Sequence, residues 1–147
     1  LGRSCLHHDY RGGAGLYCLW TGLAQYIADH HVEILFGVAS FHGTDPQKLA
    51  QPLSLLHHRH LAPEALRVNA LKPGYQALDI LPKDAVDRRA AMIQMPPLIK
   101  AYLRLGGYVG EGAFVDRDFN TIDVCLVVDT SRLKETTKTY YSKGVTR

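Results

Sequence analysis

The sequence predicts an α/β fold, a single sheet with helices packed against it. Two kinds of hydrophobic spacing alternate along the chain: short apolar runs of strand length, and stretches whose apolar residues recur every three or four positions. Glycine and proline punctuate the changes from one to the other. The length of 147 residues suits one core, since a chain of that size buries ~70% of its unfolded surface. No internal repeat or low-complexity tract interrupts the pattern.

Taken in order, Leu1–Leu6 reads as a short strand, and His7-His8-Asp9 as a polar turn before a glycine loop. From Gly15 to about His30, Leu16, Leu19, Leu23 and Ile27 keep helical spacing beside Trp20. Thr21, Gln25 and Asp29 fall on other faces, so the helix is amphipathic. "VEILFGVASF", residues 32–41, is rich in branched and aromatic residues and fits a strand buried on both faces. "HGTDP" then marks a turn, with Thr44 or Asp45 as cap and Pro46 in the first turn of a helix running to about Leu61. Residues 62–91 show no clear period and form a long connection, a candidate lid or binding loop. "MPPLIKAYLRLGG" is a helix with prolines at its entry and glycines at its exit, and "TIDVCLVVD" is a late strand. The expected order is β-α-β-α-α-β. Residues 1–133 belong to one domain and 134–147 form a tail. The chain does not begin with Met and opens inside a strand-like run, so it reads as part of a longer domain.

Composition narrows the function classes. A formal charge of +3 is too weak to point to nucleic acid, and fits instead an acidic protein or an anionic membrane surface. No apolar run is long enough to span a bilayer. Cys5, Cys18 and Cys125 are odd in number, far apart and set among apolar residues, which reads as reduced core thiols of a cytosolic protein.

The stretch "HHDYRGGAGLYCLW" carries the first chemical signal. A helix N-terminus has unpaired amides and about half a positive charge, so it attracts phosphate. Gly12, Gly13 and Gly15 permit close approach of the backbone, and Arg11 adds a cation. Two readings remain on pattern alone: a phosphate-holding loop, or a tight glycine turn with a solvated arginine. The Gly-Lys-Ser/Thr ending of a P-loop and the G-x-G-x-x-G of a dinucleotide site are both absent.

With Tyr102-Leu103-Arg104-Leu105-Gly106-Gly107 on a later helix, this loop resembles the GNAT acyltransferase superfamily. There an (R/Q)-x-x-G-x-(G/A) loop grips the donor's pyrophosphate or phosphopantetheine, and a Y-x-x-x-G segment follows. Aligning Arg11 with the first position places Ala14 where glycine is usual and Leu16 where glycine or alanine is usual. That departure suggests a modified donor site. "LGRSCLHHDYR", "SFHGTDPQKLAQPLSLLHHRHLAPEALRV", "MPPLIKAYLRLGGYVGEGAFVDRDFNTIDV" and "SRL" resemble the L-ornithine Nα-acyltransferases of bacterial ornithine-lipid synthesis. Those are similar in turn to the GNAT proteins and to the autoinducer synthases.

The resemblance implies a GNAT-like mixed sheet whose first strands lie outside this chain. It implies a 3-hydroxyacyl donor on acyl carrier protein and L-ornithine as acceptor, in the cytoplasm or peripherally at the inner membrane. No bound cofactor or metal is implied; the phosphopantetheine arm is the donor group, held near Arg11, Gly12, Gly13, Ala14 and Gly15. Amides around Ser4, Cys5 and Leu6 would lie along that arm. Arg3, Arg11, Lys48 and Arg59 are candidate steering charges for an acidic carrier. Tyr102 matches the superfamily's general-acid tyrosine.

The reaction also needs a neutral amine and a polarised carbonyl. His42, following the second strand, has a suitable ordinary pKa for a base. Asp118, Asn120 and Asp123 are candidates for the ornithine ammonium groups, against the plainer reading of an Asx-rich turn entering a strand. His57 and His60 share a helical face, but no third ligand is identifiable, so a polar helix face is the favoured reading over a metal. His7-His8 and His30-His31 read as loop residues. The basic, tyrosine-bearing tail reads as a frayed end or a weak contact with anionic headgroups. Two alternatives stand beside the ornithine reading: an N-acyl amino acid or N-acyl homoserine lactone synthase, and a non-catalytic module binding carrier protein or membrane.

Overall fold

The computed structural model describes residues 6–12 and 14–132, with the side chain of Leu16 left aside. Ser4, Cys5, Gly13, Arg3 and the tail from residue 133 therefore lie outside the described residues, as does most of the expected first strand. The chain divides into two units, one made of the residues up to Leu35 with those from Asp129, the other Phe36–Val128.

In the first unit, α1 spans Gly15–Asp29, close to the expected bounds. Its burial differs from the expected stripe: Thr21 is buried and Leu19 is exposed. Thr21 tolerates burial because its hydroxyl donates to Tyr17 O at 2.9 Å. At the unit's other end Thr130 closes onto the backbone before β1, its amide donating to Glu33 O and its hydroxyl to Val32 O.

The second unit carries the sheet. The remaining elements are β1 (Ile34–His42), α2 (Ala50–His60), β2 (Tyr75–Gln76), α3 (Arg88–Gln94), α4 (Pro97–Arg104), β3 (Tyr108–Val109), β4 (Ala113–Asp116) and β5 (Thr121–Asp129). Five strands form an open sheet in the order β1-β5-β4-β2, with β3 also on β5. The β2–β4, β3–β5 and β4–β5 pairings are antiparallel, and isolated parallel bridges join Leu61 to Val109 and Asn69 to Glu111. The α/β sheet flanked by helices is thus as expected.

The core lies on one face of that sheet. Ile122, Val124, Leu126 and Val128 of β5 are buried with Ala39 and Phe41 of β1, under Leu53, Leu56 and Ile99. Here the expectation for β1 is corrected: it is not buried on both faces, since Phe36 and Val38 are 64% and 60% exposed. Alternate residues of β1 point to the core, and among the described residues nothing buries Phe36 and Val38 on its other face.

The start of α2 also differs. Asp45 Oδ1 accepts from Gln47 N at 3.0 Å and caps a turn over 46–49; the helix itself begins at Ala50. The sequence reading missed α3, whose cap is Asp87, with Oδ1 accepting from Arg89 N at 2.8 Å and Ala90 N at 3.1 Å.

Residues 62–91 are pinned down, which corrects the picture of a lid. Ser54, fully buried on α2, donates to Leu78 O at 3.2 Å and accepts from Leu81 N at 2.9 Å. His58 Nε2 bonds Leu81 O, and Gln51 Oε1 accepts from Asp87 N. Leu78 inserts into the core. Ala62 N and Glu111 N continue the fastening through Val109 O and Val68 O. Polar side chains of α2 thus satisfy loop backbone that would otherwise need water.

Candidate functional site

The expected donor-loop residues belong to the first unit. A short 3-10 turn, His8–Tyr10, precedes them, and Arg11 Nε donates to Leu6 O at 3.0 Å. The guanidinium is therefore oriented by the loop's own backbone. Gly12 has φ +78°, and a Cβ on Gly15 would meet Tyr10 O at 2.8 Å, so the loop is folded tightly against its own backbone. Ala14 is the N-cap of α1 and offers no side-chain acceptor; no acidic residue occupies the first turn. The positive end of a 15-residue helix is left without an anionic side chain of its own.

Beside it, both carboxylate oxygens of Asp9 face histidines, Oδ1 with His8 Nε2 at 2.7 Å and Oδ2 with His7 Nδ1 at 3.4 Å. Among the described residues this is the one group of three ligand-type side chains within mutual reach, and it is exposed.

Tyr102, His42, Asp118, Asn120 and Asp123 belong to the second unit. Tyr102 is on α4 and only 7% exposed, and burial pushes its phenol above the ordinary tyrosine value. The glycines that follow have a structural cause. Gly107 N donates to Tyr102 O at 3.0 Å and Gly106 N to Leu103 O at 3.0 Å, the two bonds of a Schellman ending, with Gly106 at φ +84°. The tyrosine's own carbonyl is thus the acceptor that ends the helix.

His42 is the exposed last residue of β1. The next residue, Gly43, donates its amide to Asn120 O at 2.8 Å, so the fold brings the His42 end of β1 to the β4–β5 turn. In that turn Asp116 Oδ1 accepts from Asp118 N and Phe119 N, and Asn120 adopts φ +54°. Asp118 and Asn120 are exposed there. Asp123 is different. It stands on β5 opposite Phe114, and its Oδ1 is buried with no hydrogen-bond partner among the described residues.

His57 and His60 do not form a ligand set. His57 Nδ1 is buried without a hydrogen-bond partner among the described residues, while His60 lines a cleft with Arg59 and Arg88. Burial, then the charges of those two arginines, hold His60 below the ordinary histidine value. Of the steering candidates, Lys48 pairs with Asp45 at 3.9 Å. Two thiols depart from the core expectation: Cys18 is exposed and Cys125 half-buried, both free. Sequence reading missed Arg88, Arg89, Lys100 and Arg104, which join Arg59 and His60 on one surface. Only the Lys100–Arg104 spacing hinted at a shared face.

No protein-family model and no solved structure matches the chain. Curated proteins do. The chain is 59% identical over 145 residues to a Rhodobacter capsulatus protein named L-ornithine N(alpha)-acyltransferase, covering 99% of the chain and 55% of that protein. It is 41% identical over its whole length to one of the same name from Brucella abortus, covering 52% of it, and 37% identical to another from Rhizobium meliloti, covering 50%. The chain spans about half the length of these relatives. Over that half, the chain is similar to proteins named L-ornithine N(alpha)-acyltransferase.

Proposed function

We propose that the protein of which this chain is a part transfers a 3-hydroxyacyl group from acyl carrier protein to the α-amine of L-ornithine, giving lyso-ornithine lipid. The observation that carries the reading is the 59% identity, over nearly the whole chain, to a protein named for this acceptor. In the reaction the amine nitrogen attacks the thioester carbonyl, forming a C–N bond and breaking the C–S bond. The amine gives up a proton and the thiolate takes one, so products are an amide and a free thiol.

Tyr102 is the proposed donor of that proton. Its phenol carries its proton at physiological pH, as the role requires, while burial makes it a weaker acid than an exposed tyrosine. His42 is the proposed acceptor of the amine proton. Asp123 is the proposed seat for an ornithine ammonium, supported by its buried, unpartnered oxygen. Arg11 with the uncapped start of α1 supports an anion such as the pantetheine phosphate. The carrier protein supplies only that arm, so no cofactor is required, and the location is the cytoplasm or the inner-membrane surface.

The test is incubation of the full-length protein with 3-hydroxyacyl carrier protein and a panel of amino acids, with mass detection. Product confined to ornithine is expected. Tyr102→Phe should lower kcat by about 10²–10⁴, the usual contribution of a general acid, while carrier binding is retained. Asp123→Asn should raise the KM for ornithine more than it lowers kcat. Product on another amino acid or homoserine lactone would make the protein a related synthase. Carrier binding with no product would make it a binding module.

A further inference from the structure

Five cations gather on one side of the second unit. Arg59 ends α2, Arg88 and Arg89 begin α3, and Lys100 and Arg104 stand one turn apart on α4. They line two adjoining depressions, of about 430 and 510 Å³, with Arg88, Met92 and Lys100 common to both. No carboxylate lines either one, and none of the five makes an ion pair among the described residues. The local positive charge therefore exceeds the formal +3 of the entire chain. His60, at the same cleft, feels it: Arg59 and Arg88 oppose its protonation.

Apolar side chains stand among these charges. Ile93, in the lining of the second depression with Met92, is 74% exposed. On α3 the spacing of four sets Met92 beside Arg88 and Ile93 beside Arg89. Basic side chains can rest their methylene stems along such a surface while their heads reach outward.

We propose that this corner, built from the end of α2 with α3 and α4, docks on the surface of an anionic bilayer. The basic heads would meet lipid phosphates, and Ile93 would enter the headgroup–acyl boundary. Its make-up favours a lipid surface over a protein. Protein interfaces concentrate aromatic residues and deplete charge at their centre, and they need fixed polar complements. Neither depression has an aromatic residue or a carboxylate. A fluid layer of phosphates asks only for unpaired cations beside exposed apolar groups. No described helix is long and apolar enough to cross a membrane, so contact through this corner is peripheral.

The experiment is sedimentation of the chain with vesicles of phosphatidylcholine, with and without phosphatidylglycerol, in the absence of acyl donor and ornithine. Its outcome is thus separate from turnover. Binding is expected only where phosphatidylglycerol is present, and it should weaken with salt. The double variant Arg88→Ser, Lys100→Ser should bind about 25-fold more weakly, at about fivefold per basic residue. Ile93→Ser should weaken binding at unchanged charge. The variant Lys72→Ser, Lys83→Ser, altering two exposed lysines elsewhere in the second unit, is the control and should lose much less. Circular dichroism and urea midpoints confirm that each variant is folded. Equal binding to neutral vesicles, equal losses in both double variants, or capture of acidic carrier protein at these residues without vesicle binding would overturn the proposal.

Discussion

Replacing Gly107 by alanine should destabilise the protein more than the same change at Gly106, although Gly106 has the backbone that side chains avoid. An alanine Cβ at Gly106 would meet nothing within 4 Å, so its cost is the left-handed φ of +84° alone, about 1–2 kcal/mol. At Gly107 the added carbon would stand 2.8 Å from Tyr102 O and 3.2 Å from both Tyr102 C and Val128 Cγ2. Two of those atoms are backbone of α4 and cannot rotate away. Overpacking of this kind costs about 1–3 kcal/mol. Displacing the Tyr102 carbonyl also weakens the Gly107 N–Tyr102 O bond, adding about 0.5–1.5 kcal/mol. The sum is about 3 kcal/mol; at a urea slope near 2 kcal/mol per molar, the midpoint falls by about 1.5 M. Urea unfolding followed by circular dichroism reads this directly. A Gly107→Ala midpoint no lower than that of Gly106→Ala would refute the steric account of the turn. In an active full-length protein, Gly107→Ala should also slow turnover, because the displaced atoms belong to Tyr102.

Other outcomes follow from the same geometry. Ser54→Ala should cost about 2–4 kcal/mol, since it strands a buried carbonyl at Leu78 and an amide at Leu81; limited proteolysis should then cut within 62–91. Cys18 should alkylate before Cys125 in the native chain, because Cys18 is exposed while burial raises the Cys125 thiol pKa and so disfavours its thiolate; mass spectrometry of partially labelled protein decides the order. Tyr102, raised by burial, adds stability that is intact below the ordinary tyrosine value and lost as pH rises through the higher folded value. Tyr102→Phe should therefore flatten the alkaline fall in urea midpoint. His60, lowered by burial and two arginines, acts in the opposite sense: stability should fall as pH drops below the ordinary histidine value.

Long periodic elements were legible in the sequence because their patterns repeat enough to be counted. β5 was expected over 121–129 and occupies those residues, and α1 was expected from Gly15 and starts there. β2, β3 and β4 span only two to four residues, too few for alternation to show. Partners define them instead, as when Tyr108 meets Val127 and Tyr75 meets Phe114. The one-sided burial of β1 was illegible for another reason: Ile34, Phe36 and Val38 are as apolar as the buried Ala39 and Phe41 that follow them. In the candidate site the Tyr102 turn was readable as a motif, but its cause, a carbonyl capped by Gly107, needed coordinates. Asp123 was chosen by residue type with Asp118 and Asn120; burial alone sets it apart. The cationic corner was missed because it joins three helices that share no local pattern.

β5 has a consequence for synthesis. It bonds to β1, β3 and β4, yet it is the last of the described strands to be made. At about 5–20 residues per second, roughly 80 residues separate the emergence of β1 from that of β5, a delay of about 4–16 s. During that interval β1 lacks the neighbour that β5 provides. A nascent chain stalled before Thr121 would therefore be a ready client for a chaperone, whereas one released beyond Asp129 could form the β1–β5 pairing.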